Sequence, residues 1–309
     1  FFFCVMASAL FVKLSLETND NKIHNYVSII FNIMLFDGFF YFIKSGIFLA
    51  RDPTLLFFPE MSHFSLIFLP LLMFKIFTTK KTIHIYMMIL FSLFLALTIQ
   101  NLILLVGTIF IMLIHSFKKT FFFFIIPSSI LILSLDIKNL YYFIERIQFV
   151  DTNNISTLVF LSGWERAYLN LFEHGIFGIG FNQLGYEGQS GFYQEKINSY
   201  RLYGLNINDG GSVAPKLVSE LGVLGIIMIS IYGYYLIKLL YKIKKYNLTY
   251  NYLDTFYISI FIMSFVNIFL RGSGYFSPIM FLFMSSIMYF IKFRITDDKT
   301  FIERGNKKL

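Results

Sequence analysis

The sequence predicts an all-α protein, a polytopic transmembrane helical bundle with one large polar loop late in the chain. Hydrophobic residues make up 57% of the 309 positions and charged residues only 14%, whereas a soluble domain carries about 25% charged residues. Many apolar stretches approach the roughly 20 residues that a helix needs to cross a bilayer. Between residues 138 and 216 this pattern stops, and Gly, Asn, Glu, Arg, Tyr and Asp gather instead. The chain is therefore predicted to fold in a membrane and to act through that loop.

Clusters of basic residues set the predicted orientation, because cytoplasmic loops are enriched in Lys and Arg. Such clusters end apolar runs at Lys80–Lys81, at Lys118–Lys119, at residues 242–245 and in the tail after Phe290. Placing all four in the cytoplasm predicts about nine spans. They cover residues 1–16, 25–50, 63–77, 83–99, 101–117, 120–137, 217–242, 255–271 and 275–293.

The predicted domain organisation follows from this path. N-terminal transmembrane helices occupy residues 1–137, the large outer loop 138–216, C-terminal transmembrane helices 217–293, and a cytoplasmic tail 294–309. The odd number of spans and the cytoplasmic C-terminus place residue 1 outside. Since the chain begins within an apolar segment and without Met, we expect further N-terminal spans to precede it.

Several function classes are not favoured by the sequence. The net charge of +8 comes largely from Lys and Arg at the ends of apolar runs, as the topology requires, so it does not indicate nucleic-acid binding. No P-loop or GxGxxG phosphate-binding pattern occurs. One Cys and five scattered His give no metal-ligand motif. We therefore expect no metal and no cofactor.

The first polar outer segment is FPEMSHF, where Glu60 and His63 stand at the predicted start of a helix. A carboxylate is favourable near the positive end of a helix dipole, so an ordinary helix start explains Glu60. The functional alternative is that Glu60 and His63 position a hydroxyl or move a proton at the membrane surface.

The second segment, SGWERAYLNLFEHGIFGIG, lies in the large loop. Its apolar residues recur at helical spacing over residues 161–173, which predicts an amphipathic helix on or near the membrane. Trp164, the single Trp, suits a membrane interface. In the simplest interpretation Glu165 and Arg166 form an exposed ion pair. Alternatively Arg166 binds a phosphate group, because a guanidinium offers two parallel hydrogen bonds and keeps its charge.

The third segment is NDGGSVAPKLVSELG. Asp209 followed by two glycines predicts a turn. Lys216 and Glu220 are spaced to pair on one helix face. Because Glu220 also lies near the outer end of a predicted span, it is a functional candidate as well.

The fourth segment is LRGSGYFSP, in the last outer turn. Arg271 ends a predicted helix there, where a cation complements the helix dipole. Positive charge is nevertheless depleted on the outer side of membrane proteins. In this topology the outer side includes Arg51, Arg166, Arg201 and Arg271. We interpret them as a sign of an anionic ligand.

Taken in order, these segments resemble the O-antigen polymerases (Wzy-type) of bacterial surface polysaccharide assembly, which share a superfamily with the O-antigen ligases. The matching stretches are FPEMSHFSL, LTIQNLILLVG, SGWERAYLN with HGIFGIGFNQLG, SELGVLG and LRGSGYFSP. The ligase branch typically shows a His-Asn pair shortly before ELG. Here that region reads NDGGSVAPK, with Asp209 and no His. The difference favours a polymerase over a ligase.

The resemblance implies a metal-independent glycosyltransferase in the bacterial inner membrane, with its large loop in the periplasm. The substrate would be an oligosaccharide on undecaprenyl diphosphate, and the growing polysaccharide would pass to a new lipid-linked repeat unit. Arginines would stabilise the charge on the departing diphosphate, with Arg166 and Arg271 first and Arg201 third. Expected partners are membrane lipid and a chain-length regulator protein, and no nucleic acid is expected.

The remaining roles stay open among several side chains. The attacking hydroxyl needs a proton acceptor, and the polar outer residues that suit this role are Glu60, His63, His174 and Asp209. Besides Arg201, substrate contacts are expected from Glu165, His174, Glu220 and Tyr275.

Three other functions remain as alternatives. An O-antigen ligase would use the same chemistry with lipid A core as the acceptor. A lipid-linked oligosaccharide flippase would carry charged residues deep in several spans, and Asp37 is the charged residue too far from the span ends to snorkel. A non-catalytic assembly partner would leave the outer arginines unexplained.

Overall fold

The computed structural model describes residues 2–47, 55–58, 60–115, 137–246 and 251–293. Within these ranges the chain is helical and contains no β-strand, which confirms the predicted all-α class. The α-helices are α1 Phe2–Glu17, α2 Asp20–Ile47, α3 Met61–Thr78, α4 Thr82–Thr98, α5 Leu102–His115, α6 Ile137–Ile147, α7 Ile155–His174, α8 Phe192–Ser199, α9 Val213–Leu221, α10 Val223–Tyr246, α11 Tyr252–Phe265 and α12 Pro278–Phe293. A 3-10 turn at Gly175–Phe177 follows α7, and a π-helical turn at Val266–Leu270 follows α11.

Four helical segments among the described residues are long and apolar enough to cross a membrane. They are Asp20–Tyr41, Met61–Thr78, Val223–Lys244 and Tyr252–Leu270. Three shorter apolar helices, α4, α5 and α12, coincide with further predicted spans. The transmembrane character is thus supported, whereas the predicted nine spans are not confirmed. Residues 120–136 of one predicted span, Arg51 and the tail 294–309 lie outside the described residues.

The predicted span 217–242 is interrupted near its start. The chain breaks at Gly222 into the short helix α9 and the long helix α10. Gly222 has a φ of 58°, a left-handed conformation that glycine reaches without a steric penalty. Its N–H donates to the Val218 carbonyl and ends α9. Glu220 therefore lies on the short helix α9, just before the candidate span Val223–Lys244, which begins later than the predicted residue 217.

The described chain forms two compact units, and the first comprises residues 1–139, 238–264 and 278–309. In this unit α1 packs against α12, and α5 packs against both α3 and α4. Phe31, Phe64 and Phe68 stack in a row, with ring centroids 5.6 and 5.1 Å apart. Most of α3 is buried, so α3 lies at the centre of this group of helices.

Hydrogen-bonded polar groups tie three helices of the first unit together. Ser15 Oγ on α1 lies 2.7 Å from the Tyr257 hydroxyl on α11. The Tyr257 ring stacks on Tyr289 of α12 with the centroids 4.2 Å apart. The Tyr289 hydroxyl in turn donates to the buried Asp254. Because buried polar groups are costly unless they are paired, these contacts favour one relative placement of the three helices.

Asp37 on α2 is completely buried. Its Oδ1 accepts the backbone N–H of Leu56 at 2.7 Å and so holds the segment 55–58 against α2. Its Oδ2 is buried and has no hydrogen-bond partner in the described part of the chain. An ionisable side chain within a candidate span is a functional candidate, and Asp37 therefore bears on the transport alternative.

Asn101 joins the hairpin of α4 and α5 to α3, and its replacement is expected to destabilise the first unit. Its buried amide donates to the Met61 carbonyl and the Ser65 hydroxyl at 2.6 and 2.7 Å, and accepts the Leu104 N–H. Asn101→Leu removes these hydrogen bonds from a buried site, so the free energy of unfolding should fall by about 1–3 kcal/mol. Thermal unfolding in detergent measures the change. The exposed Asn21→Leu is the control, and equal stability of the two variants would contradict the prediction.

Candidate functional site

The second unit comprises residues 140–237 and 265–277 and contains most of the predicted site residues. Its central helix is α7, which packs against α8, α9 and the 3-10 turn. Asn154 begins α7, because its side chain accepts the N–H groups of Ser156 and Thr157. Gly175 ends α7 with a φ of 61°. The amphipathic helix predicted over residues 161–173 is present and begins earlier than predicted.

Glu165 caps a neighbouring helix and does not pair with Arg166. Its Oε1 accepts the N–H of Phe192 at 2.9 Å, and its Oε2 accepts the N–H of Tyr193 at 2.8 Å. A carboxylate at the start of α8 satisfies unpaired N–H groups and complements the helix dipole. The exposed ion pair of the simplest interpretation is therefore wrong. Glu165 has a structural contact that explains its presence without a substrate.

Arg166 lies on the buried face of α7 and is 3% exposed. Its Nη1 donates to the backbone carbonyl of Ile207 at 2.6 Å, while its Nε lacks a hydrogen-bond partner among the described residues. Burial lowers the pKa of this guanidinium, because desolvation disfavours its charged form. Arg166 therefore attaches the turn before α9 to α7, and its side chain is enclosed by the unit.

Lys216 and Glu220 form the buried ion pair that their spacing predicts. On α9 the Lys216 Nζ lies 3.6 Å from Glu220 Oε1, and the side chains are 4% and 0% exposed. The Glu220 carboxylate also accepts the N–H groups of Asn182 and Leu184 at 2.9 and 3.1 Å. Lys216 Nζ donates to the Asn208 carbonyl at 2.6 Å. The pair thus fixes the loops that precede α8 and α9 onto α9 itself.

Tyr275 packs over this ion pair. Its ring centroid lies 4.8 Å from Lys216 Nζ, and the ring stacks on Phe181 at 5.3 Å with an interplanar angle of 7°. Burial and, to a smaller extent, the negative charge of Glu220 raise the pKa of the Tyr275 phenol well above its usual range. Although Glu220 is near, the buried hydroxyl makes no hydrogen bond of regular geometry with the described residues. The raised pKa keeps the Tyr275 phenol neutral beside the Glu220 carboxylate.

Arg146, which is not among the site residues predicted from the sequence, interacts electrostatically with Arg271. Arg146 is in the last turn of α6, and its guanidinium lies 4.3 Å from the centroid of the Tyr142 ring. Its Nε is buried without a hydrogen-bond partner in the described chain. Burial lowers the pKa of Arg146, Tyr142 raises it, and the positive charge of Arg271 lowers it. Two cations from distant segments of the chain thus act on each other electrostatically. The amphipathic stretch IKNLYYFIERI was the local signal for the first of them.

Asp209 lies beside the turn that follows Arg271. A Cβ atom placed on Gly274 would be 3.0 Å from Asp209 Oδ1. The N–H of Gly272 donates to the Gly211 carbonyl at 3.0 Å, which joins the same two turns. The structure therefore brings the Asp209 carboxylate near the segment that carries Arg271.

Within the second unit, Arg201 and His174 do not join this group. Arg201 is exposed in the turn after α8, with a φ of 63°. His174 Nε2 lies 3.6 Å from its neighbour Glu173 in a partly exposed pair. Glu60 and His63 belong to the first unit, where 3.9 Å separates Oε2 and Nε2 at the start of α3.

The candidate site accordingly consists of Arg146, Arg271 and Asp209, with Lys216, Glu220 and Tyr275 as a buried support. The described residues include no group of three or more His, Cys, Asp or Glu side chains that could hold a metal ion.

Comparison with known proteins identifies no relative: no family model, no curated protein and no solved structure matches the chain.

Proposed function

We propose that this protein is an O-antigen polymerase, a membrane glycosyltransferase that moves a growing polysaccharide from undecaprenyl diphosphate onto a new lipid-linked repeat unit. The observation that carries the proposal is a grouping in the second unit: the Asp209 carboxylate adjoins the turn of Arg271, and the positive charge of Arg271 acts on Arg146. Two guanidinium groups repel each other, so a bound anion that pairs with both relieves this repulsion. A lipid-linked diphosphate is the anion that the order of the sequence motifs favours.

In the proposed reaction a sugar hydroxyl of the acceptor attacks the anomeric carbon of the donor. The new carbon–oxygen bond forms while the bond from that carbon to the diphosphate oxygen breaks, and the electron pair leaves with the diphosphate. Arg146 and Arg271 stabilise the charge that develops on this leaving group. Asp209 accepts the hydroxyl proton, since its carboxylate adjoins the turn of Arg271. The free energy is stored in the lipid diphosphate, so no nucleotide is consumed.

The buried ion pair of Lys216 and Glu220 helps to hold Asp209 and Arg271 in place. Tyr275 follows Arg271 in the same turn and is fixed by contacts with Lys216 and Phe181. Lys216 also holds the Asn208 carbonyl, next to Asp209. In the proposal these contacts position the Asp209 carboxylate and the Arg271 cation, and Lys216, Glu220 and Tyr275 do not contact the substrate.

We expect Arg146→Ala and Arg271→Ala each to lower the polymerisation rate by about 10²–10³-fold, as for the loss of one oxyanion donor. A host deletion strain is complemented with each variant, and its lipopolysaccharide is separated on a gel. The wild-type chain restores the ladder, whereas the two variants leave core that carries a single repeat unit. Lys22→Ala removes an exposed cation from α2 and serves as the control. The amount of each variant in the membrane fraction is measured in parallel.

Other gel patterns contradict the proposal in distinguishable ways. Bare core with polymer left on the lipid carrier in the deletion strain indicates a ligase. An unchanged ladder in the deletion strain contradicts any role of the protein in polysaccharide assembly. A full ladder with both arginine variants at normal abundance contradicts the proposed site, even if the deletion itself shows a polymerase.

A lipid-linked oligosaccharide flippase is the second candidate, and one observation favours it. Asp37 is completely buried in a candidate span, and its Oδ2 has no hydrogen-bond partner among the described residues. Charged groups at such positions often belong to transport pathways. Bare core without external polymer in the deletion strain would select this function over the polymerase.

A further inference from the structure

A row of large apolar side chains is exposed along one side of α7 and on the 3-10 turn. Tyr168, Phe172, Ile176 and Phe177 are 61%, 72%, 65% and 84% exposed. The rings of Tyr168 and Phe172 pack against each other with their centroids 4.5 Å apart. We call these four residues the apolar ridge. The opposite face of α7 is buried in the second unit and carries Arg166, so the described part of the chain leaves the ridge uncovered.

The ridge is attached to the start of α10. The Gly180 N–H donates to the Glu220 carbonyl at 2.9 Å, two residues before Gly222. A Cβ atom on Gly222 would lie 2.4 Å from the Gly175 carbonyl oxygen, a close approach that only glycine permits. The 3-10 turn is therefore held directly against the residue that precedes α10.

The length of α10 determines how deep this point lies in a bilayer. Its candidate span Val223–Lys244 is apolar from its first residue, and only 22% of it is buried. A helix rises about 1.5 Å per residue, so the stretch from Val223 to Lys242 covers the roughly 30 Å of a hydrocarbon core. When α10 spans a bilayer in this way, Val223 lies at the boundary between hydrocarbon and headgroups. The 3-10 turn, packed beside Gly222, lies at the same level.

We infer that the apolar ridge inserts into the outer boundary of the bilayer and that its partner is membrane lipid. In a spanning α10 the exposed side chains of Leu224, Ile227 and Met228 face acyl chains, and the ridge continues this lipid-facing surface around the 3-10 turn. Aromatic side chains favour the interfacial depth, and an amphipathic helix lies there with its apolar side in the membrane. The ridge anchors the second unit on the lipid surface, whatever reaction the unit performs.

Tryptophan fluorescence in lipid nanodiscs tests this inference on the full chain. Trp164 is the single Trp, so Trp164→Phe provides a background into which one Trp is introduced at a time. Phe177→Trp reports on the ridge, Ile227→Trp on the lipid-facing side of α10, and Tyr203→Trp on the exposed turn after α8. Phosphatidylcholine brominated on its acyl chains is the lipid quencher, and iodide is the aqueous quencher.

We expect bromolipid to quench Phe177→Trp at least about half as strongly as Ile227→Trp, and iodide to quench it several-fold less than Tyr203→Trp. Strong quenching of Phe177→Trp by iodide, with none by bromolipid, would overturn the inference. Equal bromolipid quenching at all three positions would also overturn it, because lipid contact would then not be confined to the ridge and α10. Phe172→Trp on α7 repeats the measurement if Phe177→Trp does not fold.

Discussion

Glu220→Ala is expected to unfold the second unit under conditions in which the wild-type chain is folded. Glu220 is completely buried, and its carboxylate lies 3.6 Å from Lys216 Nζ. The substitution leaves Lys216 charged and without its ion-pair partner in the interior, and breaking a buried pair in this way costs about 3–5 kcal/mol. The N–H groups of Asn182 and Leu184 lose their acceptor at the same time. The loops that carry these residues would then separate from α9.

Chemical unfolding of the detergent-solubilised protein measures this loss, with the fluorescence of Trp164 on α7 as the signal. Glu173→Ala is the matched control, because Glu173 pairs with His174 at 3.6 Å but is partly exposed. An exposed pair contributes about 0–1 kcal/mol. The double substitution Lys216→Met with Glu220→Met should recover part of the stability, since it leaves no unpaired buried charge. Wild-type stability of Glu220→Ala would show that the ion pair does not hold the two loops.

Gly163→Ala is expected to have the second large effect on stability. A Cβ atom at residue 163 would lie 2.0 Å from the Gly210 carbonyl oxygen and 2.8 Å from its carbonyl carbon. Both are backbone atoms and cannot rotate away, so the Gly210–Gly211 turn would have to move from α7. Such overpacking costs typically about 1–3 kcal/mol and occasionally more, and we expect about 3 kcal/mol here. Because Asp209 adjoins this turn, the variant should also lose polymer on the lipopolysaccharide gel.

Gly233→Ala provides the control for this substitution. Gly233 lies within α10, and a Cβ atom there would meet no other atom within 4 Å. Alanine favours a helix over glycine by up to about 1 kcal/mol, so this variant should be as stable as the wild type or slightly more stable. The same unfolding measurement compares the two variants. Equal stability of Gly163→Ala and Gly233→Ala would mean that α7 and the Gly210 turn are less closely packed than the structure shows.

Features that depend on residues close together in the sequence could be predicted from the sequence. The apolar runs predict α3, α4 and α5 at nearly the observed positions, because a spanning helix needs only a sufficient length of apolar side chains. The spacing of Lys216 and Glu220 predicts their ion pair, since residues four apart share one helix face. Gly175 ends α7 close to the predicted position, because glycine readily adopts the required positive φ.

The break at Gly222, by contrast, depends on a contact between segments that are distant in the chain. The apolar stretch continues on both sides of this residue, so hydropathy predicts one span over 217–242. The structure divides the stretch because the 3-10 turn packs directly against Gly222. Glu165 is a similar case, since its partners belong to α8, some 27 residues away. Neither contact leaves a mark in the periodicity of the chain.

The sequence by itself determined the helical class, the membrane character and the presence of a polar region that contains several arginines, because these follow from composition and from spacing within single helices. Only the tertiary structure decided the surroundings of each arginine. It encloses Arg166 inside the second unit and places Arg146 within the electrostatic influence of Arg271. The physical reason is that a contact between distant segments depends on the path of the loops between them, and that path is set by many weak packing interactions that no short stretch of sequence specifies.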